Sequence, residues 1–399
     1  MKRFWFPLCL FTMLLFGGFD MLKGVAAPFM QTAWRMDYGE LGTVFAIGSF
    51  GYLVATFVTG FVIESLGVRF VVVAGALTLV VGTTGVILSP SYLPACVSFF
   101  VNGMGGGVLE IGVNAVVPAM AKSASGQSRY FNWLHGFYGI GACGFPLLIA
   151  WLLRLEVGWR WIYGLLLLAV GLLAAAAAVA KQPVSLASPT EQPIASSHVG
   201  LWREKALYGL LVAIMAYVMA EVGLGTWLTT YLVKARGVPL SLASVCLSGF
   251  FLTFTIGRLA APLLLRRIGH HQAILAGLVL SLFSLGLAWL PGNWSLLGFW
   301  LAGLGYSIIF PTITAVASHT FAAYAGKVLG LLFTAAGIGS LVTNALIGGV
   351  ATVWGVAAGF SLLWVYLIIV VCSMLFVIAT TKSQRAAGCA SAQSAPGAQ

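Results

Sequence analysis

Charged residues are scarce in this chain. Only 7 % of its 399 residues are Asp, Glu, Lys or Arg, against about 25 % in soluble globular proteins, so water is not the solvent for most of its surface. Acids are scarcer than bases, nine against twenty. The sequence has no H-E-x-x-H, no G-x-S-x-G and no C-x-x-C spacing, which leaves an enzymatic reading without the usual hydrolase or redox constellations and leaves no metal or cofactor to expect. The six cysteines, Cys9, Cys96, Cys143, Cys246, Cys372 and Cys389, are widely spaced and read as small packing residues. Period-two alternation, the mark of a membrane β-barrel, is missing too: Leu165 to Ala180 is apolar throughout.

What is present is hydrophobic length. Apolar residues make up 60 % of the chain, and a bilayer core about 30 Å thick is crossed by about 20 apolar residues in helical form. Twelve such runs are predicted, at 4–33, 42–66, 70–89, 91–120, 129–154, 159–180, 205–233, 241–266, 271–291, 293–319, 326–350 and 355–380. The fold class is therefore an all-α integral membrane protein. A Pro- and Ser-rich stretch from Lys181 to Lys205 divides it. The expected organisation is a six-helix bundle over 1–180, a linker over 181–204, a second bundle over 205–381 and a disordered polar tail over 382–399.

A net charge of +11 invites a nucleic-acid reading, but the bases sit at helix ends and not on one face. With the N-terminus inside, Lys2, Arg3, Arg69, Lys122, Arg129, Lys181, Arg203, Lys205, Arg266, Arg267, Lys327, Lys382 and Arg385 face the cytoplasm, and only Arg35, Arg154, Arg160, Lys234 and Arg236 lie outside. This 13-to-5 asymmetry places both termini in the cytoplasm of a bacterial inner-membrane protein. The first apolar run is too long for a cleaved signal peptide. The partners expected are the lipid bilayer and a small-molecule solute, with no nucleic acid and a monomer as the working unit.

An internal repeat crosses the linker. "YGIGACG" at Tyr138–Gly144 returns 198 residues later as "AGIGSLV" at Ala336–Val342, and Gly105 maps by the same offset onto Gly303. "GFVIESLGVR" from Gly60 has a looser counterpart in "GRLAAPLLLRRIG" from Gly257. Two halves related by an axis along the membrane normal follow from this. Between the second and third runs stand Gly60, Glu64, Gly67 and Arg69, spaced as glycine, acid, glycine, base. Glycines permit a tight turn, and the acid and base can form a charge cluster that holds or releases a gate.

This spacing is the loop signature of the major facilitator superfamily, which the chain resembles over nearly its whole length. "GMGGGVLEIGVNAVVPA" in the fourth run, "YVMAEVGLGTWLTTYL" in the seventh and "GLGYSIIFPTITAVAS" in the tenth resemble the fucose-permease and bacterial glucose/mannose-proton symporter group. The resemblance implies twelve helices in two bundles, solute transport by alternating access, and Glu110 as the proton-coupling acid. Where that group has its first-helix acid this chain has Gly24, with Asp20 one turn earlier on the same helix face.

Six acids, Asp37, Glu40, Glu64, Glu156, Glu191 and Glu204, fall at or beyond the membrane surface, leaving Asp20, Glu110 and Glu221 inside. A carboxyl group at mid-membrane costs about 2.5–3.5 kcal/mol on insertion scales, so each is a functional candidate by default, here for taking up and releasing a proton. Lys23 and Arg258 are the two bases inside, and the 198-residue offset maps Lys23 onto Glu221. Lys23 is expected to form a charge lock with Glu221, Asp20 or Glu110; a local i,i+3 pair with Asp20 and a contact to an anionic solute are the alternatives. Asn132, His135 and Tyr138 share part of one helical face and can hydrogen-bond a hydroxylated solute. Trp133, Trp227 and Tyr231 are the aromatic candidates, with Asn114, Tyr306 and Asn344 beside them.

The expected function is proton-coupled import of a small hydroxylated solute, a monosaccharide by resemblance. Sodium is the alternative coupling ion, because carboxylates and backbone carbonyls also coordinate Na⁺. An efflux antiporter of the same fold for drugs or other small organic compounds is the alternative activity, and a non-transporting sensor a further one.

Overall fold

The computed structural model describes residues 2–116, 120, 124–181, 201–265, 267–321 and 324–393. Its helices are α1 (Lys2–Trp34), α2 (Tyr38–Leu66), α3 (Val68–Leu88), α4 (Tyr92–Asn114), α5 (Ala124–Arg154), α6 (Trp159–Val179), α7 (Lys205–Thr230), α8 (Leu240–Leu265), α9 (His270–Trp289), α10 (Leu297–Ser307), α11 (Ile309–Thr320), α12 (Ala325–Trp354) and α13 (Val356–Gln393). They supply twelve spans long and apolar enough to cross a bilayer. The tenth span is broken: the helix stops at Ile308 and restarts towards Pro311, which has no N–H to continue the ladder. The seventh ends in a π-helical turn, Tyr231–Ala235.

Local chemistry fixes the short connections. Gly67 alone joins α2 to α3, at φ 79°, a backbone region that L side chains rarely adopt; this explains the second glycine of the loop signature. Ahead of α2, Asp37 accepts from the Glu40 amide at 2.8 Å while Glu40 accepts from the Asp37 amide at 3.0 Å, a reciprocal capping box. Two of the acids outside the membrane are thereby accounted for. Arg160 donates to the carbonyls of Ile87 and Ser89 at the end of α3, and Arg236 to those of Ala288 and Leu290 at the end of α9. The accepting helix ends are equivalent in the two halves, although the arginines come from different places in each.

Three expectations are corrected. The fourth helix ends at Asn114 and does not run to 120 as one helix. The last helix continues to Gln393, so 382–393 is helical backbone and not the disordered tail expected; its alanines favour helix. The loop signature's Glu64 and Arg69 do not pair with each other: both are exposed, and Arg69 donates instead to the Ala178 carbonyl at the end of α6. Of the linker, 182–200 lies outside the described residues.

The halves meet along α1 with α7, α2 with α12, and α5 with α8. Gly139 of α5 packs on Thr255 of α8, and Gly337 of α12, its repeat mate, packs on Leu53 of α2. Away from the termini the α2–α12 contact is close: the Gly39 amide donates to Thr352 Oγ1 at 2.6 Å, and a Cβ on Gly42 would lie 2.9 Å from the Gly348 Cα. Towards the termini the helices part, and Gly60 of α2 and Gly330 of α12 have open space where a Cβ would sit. The α2–α12 contact is thus close at the far end and looser at the terminus end.

Candidate functional site

Between the halves the three intramembrane acids converge. Asp20 of α1, Glu110 of α4 and Glu221 of α7 all lie within electrostatic reach of the Tyr138 hydroxyl on α5. Each has its own partner. Asp20 Oδ1 receives Lys23 Nζ at 3.0 Å, and its Oδ2 receives the Tyr138 hydroxyl at 2.9 Å. Glu110 Oε2 accepts from the Tyr52 hydroxyl of α2 at 2.5 Å. Glu221 Oε1 lies 3.6 Å from Arg258 Nη2 of α8. A Phe16 ring on α1 sits between the first two groups, 6.4 Å from Tyr52 and 5.8 Å from Tyr138 between centroids.

Lys23 therefore forms the local i,i+3 pair, and not the cross-helix lock with Glu221 or Glu110, because its neighbour one turn away is nearer than either. Tyr138 is drawn to Asp20, and His135 is exposed one turn below it. The Asn132 side chain lies outside the described residues. Asn114 is half-buried, with a carbonyl oxygen that has no hydrogen-bond partner.

The aromatic candidates are placed differently. Trp227 is fully buried, donates to Asn344 Oδ1 at 3.1 Å, and meets Phe45 of α2 edge-on at 6.3 Å. Trp227 and Asn344 thus build the far-end seal. Tyr231 is corrected: it is buried in a cluster with Phe360, at 4.4 Å, and Trp289, at 5.2 Å, and offers no face to a solute. Trp133 is exposed. The gating-loop residues Gly60, Glu64, Gly67 and Arg69 lie at the terminus end, remote from this cluster along α2.

Sequence reasoning missed Tyr52, Tyr217 and the role of Arg258. Arg258 also stacks over Phe254, 4.1 Å from the ring centroid, and Tyr217 donates to the Tyr306 carbonyl at 2.8 Å beside Glu221. An available signal was that Arg258 is one of the two bases inside the membrane; the repeat alignment had tied its segment to the loop signature instead.

A cluster of paired acids and bases between two pseudosymmetric bundles, in close contact at one end, is the arrangement of a membrane carrier. The family model described as "Major Facilitator Superfamily" matches residues 8–344. The chain belongs to the Major Facilitator Superfamily. Protein TsgA of Escherichia coli O157:H7 is 24 % identical over 348 residues, covering 84 % of each chain. Protein TsgA homolog of Serratia proteamaculans strain 568 is 21 % identical over 357 residues, covering 88 % of this chain and 89 % of its own. Among solved structures, the D-xylose-proton symporter superposes with a TM-score of 0.77 at 15 % identity, over 93 % of this chain and 96 % of its own. The nucleoside transporter NupG gives 0.76 at 15 %, over 96 % and 99 %. The E. coli fucose:proton symporter FucP gives 0.62 at 19 %, over 93 % and 98 %. The solved structures show the fold, and the family model shows a multi-pass membrane transporter of this superfamily.

Proposed function

We propose that the protein imports a small hydroxylated solute together with a proton, by rocking its two halves about the Asp20–Glu110–Glu221 cluster. The carrying observation is that three intramembrane carboxyl groups are each held by a polar partner from the same interior: Asp20 by Lys23 and Tyr138, Glu110 by Tyr52, and Glu221 by Arg258. Ionisable groups inside a membrane are retained where a proton or ion must pass. Glu110 is the coupling acid in this reading: it is the one acid of the three with no basic partner, held by the neutral Tyr52 hydroxyl alone, so its protonation leaves no cation unpaired. Polar groups towards the terminus end, His135 above all, offer hydrogen bonds to hydroxyls. The sugar- and nucleoside-transporting neighbours favour a solute of this kind.

The 13-to-5 asymmetry of bases supports both termini facing the cytoplasm of the inner membrane. On that orientation the close α2–α12 contact lies on the side away from the cytoplasm.

The test is to add single hydroxylated solutes, neutral sugars and sugar acids alike, to lightly buffered, de-energised cells and record external pH, with Glu110→Gln alongside. Alkalinisation by one of them, lost in the variant, is the expected result. No pH change with any of them, from protein shown to be folded in the membrane, would overturn proton symport.

A further inference from the structure

The two bases inside the bundle are held in unlike ways. Lys23 is satisfied by a 3.0 Å hydrogen bond to Asp20, whose second oxygen is taken by Tyr138. Arg258 is not. Its contact with Glu221, at 3.6 Å, is an ion pair too long for a good hydrogen bond, and its Nε is buried without a partner. Phe254 covers one face of the guanidinium and accepts no N–H in that geometry. A guanidinium carries five N–H donors in a fixed fork that matches a carboxylate, and buried donors are met almost everywhere in folded proteins. Arg258 thus has unspent capacity for an acceptor.

Its place says where the acceptor comes from. The halves cross where Gly139 of α5 meets Thr255 of α8. One turn from that crossing towards the terminus end lie His135 on α5 and Arg258 on α8, within electrostatic reach of each other. The His135 side chain is exposed and that of Arg258 is 34 % exposed, so neither is sealed off by packing. Glu221 and Tyr217 of α7 complete the surroundings of the guanidinium. A solute held here touches both halves.

We propose that Arg258 receives a carboxylate carried by the solute, so that the transported compound is a hydroxylated monocarboxylate of the sugar-acid class, and that Glu221, displaced from Arg258 by this carboxylate, receives the single proton that Glu110 takes up. The inference rests on the proton-coupled uptake reading above. The charge balance selects a monoanion: one carboxylate and one proton enter together and leave the cluster's net charge unchanged, with the Glu221–Arg258 pair replaced by a solute–Arg258 pair. A dianion would need a second free base, and Lys23 is held by Asp20. A neutral sugar would leave the Arg258 donors unmet.

The test uses the full chain in proteoliposomes enclosing a pH-sensitive dye, challenged with a panel of aldonates, uronates and their neutral parent sugars. Wild type is compared with R258Q, R258K and E221Q. The expected result is lumenal acidification by one or more sugar acids and by none of the parents. R258Q should raise the half-saturating concentration about 10- to 100-fold, the loss of a charge-assisted hydrogen bond. R258K should recover part of it, which shows that the loss is not misfolding, and E221Q should lose acidification more than counterflow of labelled sugar acid. Acidification by neutral sugars that R258Q leaves unchanged overturns this inference while the proton-symport reading stands. No acidification by either class in wild type overturns both.

Discussion

The Tyr52 hydroxyl of α2 donates to Glu110 Oε2 of α4 across 2.5 Å, and it is the only hydrogen bond to that carboxyl group among the described residues. The other side of Glu110 faces a small apolar pocket lined by Thr12, Met13, Phe16 and Leu109. Among the described residues no base stands near enough to form an ion pair with it. The tyrosine is therefore what positions the acid. Tyr52→Phe keeps the ring and its packing on Phe16 but removes the donor. Proton-driven uptake is expected to fall roughly tenfold, the value of one hydrogen bond to a charged group, while solute counterflow, which moves no net proton, falls less. Equal loss in both assays would show that Tyr52 acts on the rocking motion and not on Glu110.

The far-end seal yields a second expectation. A Cβ on Gly42 would lie 2.9 Å from the Gly348 Cα and closer still to the Asn344 carbonyl oxygen, both backbone atoms that cannot turn aside. Gly42→Leu should push α2 from α12 and shift the population towards a state open at the far end. The effect is readable as faster labelling, by a membrane-impermeant maleimide, of a cysteine placed at Ala46, which is buried on α2 beside this contact. Unchanged labelling would mean that the α1–α7 and α5–α8 contacts hold the seal without this one.

Tyr231 and Trp227 separate packing from solute contact. Tyr231 lies in a stack with Phe360 and Trp289, and Trp227 donates its indole N–H to Asn344 in a buried site. Tyr231→Ala is expected to destabilise the C-terminal half by about 3–5 kcal/mol, the usual result of emptying a buried aromatic site. Asn344→Leu leaves the Trp227 N–H unmet, at about 1–3 kcal/mol. Both should lower the melting temperature in detergent and leave the KM of the surviving protein close to wild type. A raised KM at unaltered stability would return these residues to the binding site.

How far the sequence reached is visible in these residues. The twelve spans were legible because charge and apolar run length report the solvent directly. That Asp20, Glu110 and Glu221 stand together was legible from their scarcity. Which way each side chain points was not. A helix apolar on all sides has no moment to orient it, so Tyr231 read as a cavity aromatic although its face turns into the C-terminal half. Tyr52 lies 58 residues from Glu110 along the chain, and nothing in the spacing of either helix marks the pair. Arg258 was seen as a base inside the membrane, yet its acid could be named only once α7 and α8 were placed side by side.

Asp20 and Lys23 make the last prediction. Their side chains are 30 % and 25 % exposed, so the pair is neither a surface bridge, worth about 0–1 kcal/mol, nor a dry one, where removing one partner costs about 3–5 kcal/mol. Breaking it from either side leaves an uncompensated charge between the halves. Asp20→Asn strands Lys23, and Lys23→Gln leaves Asp20 with the Tyr138 hydroxyl alone. Each single change should lower thermal stability, and the double change, which leaves two neutral groups able to hydrogen-bond each other, should be more stable than the sum of the two by about 1 kcal/mol or more. Additive losses would show that Lys23 is spent elsewhere. Because the pair lies on one helix, its geometry does not need the halves to move. The double variant should then keep the rocking motion, read as solute counterflow, and this distinguishes a local charge clamp on α1 from a lock between the bundles.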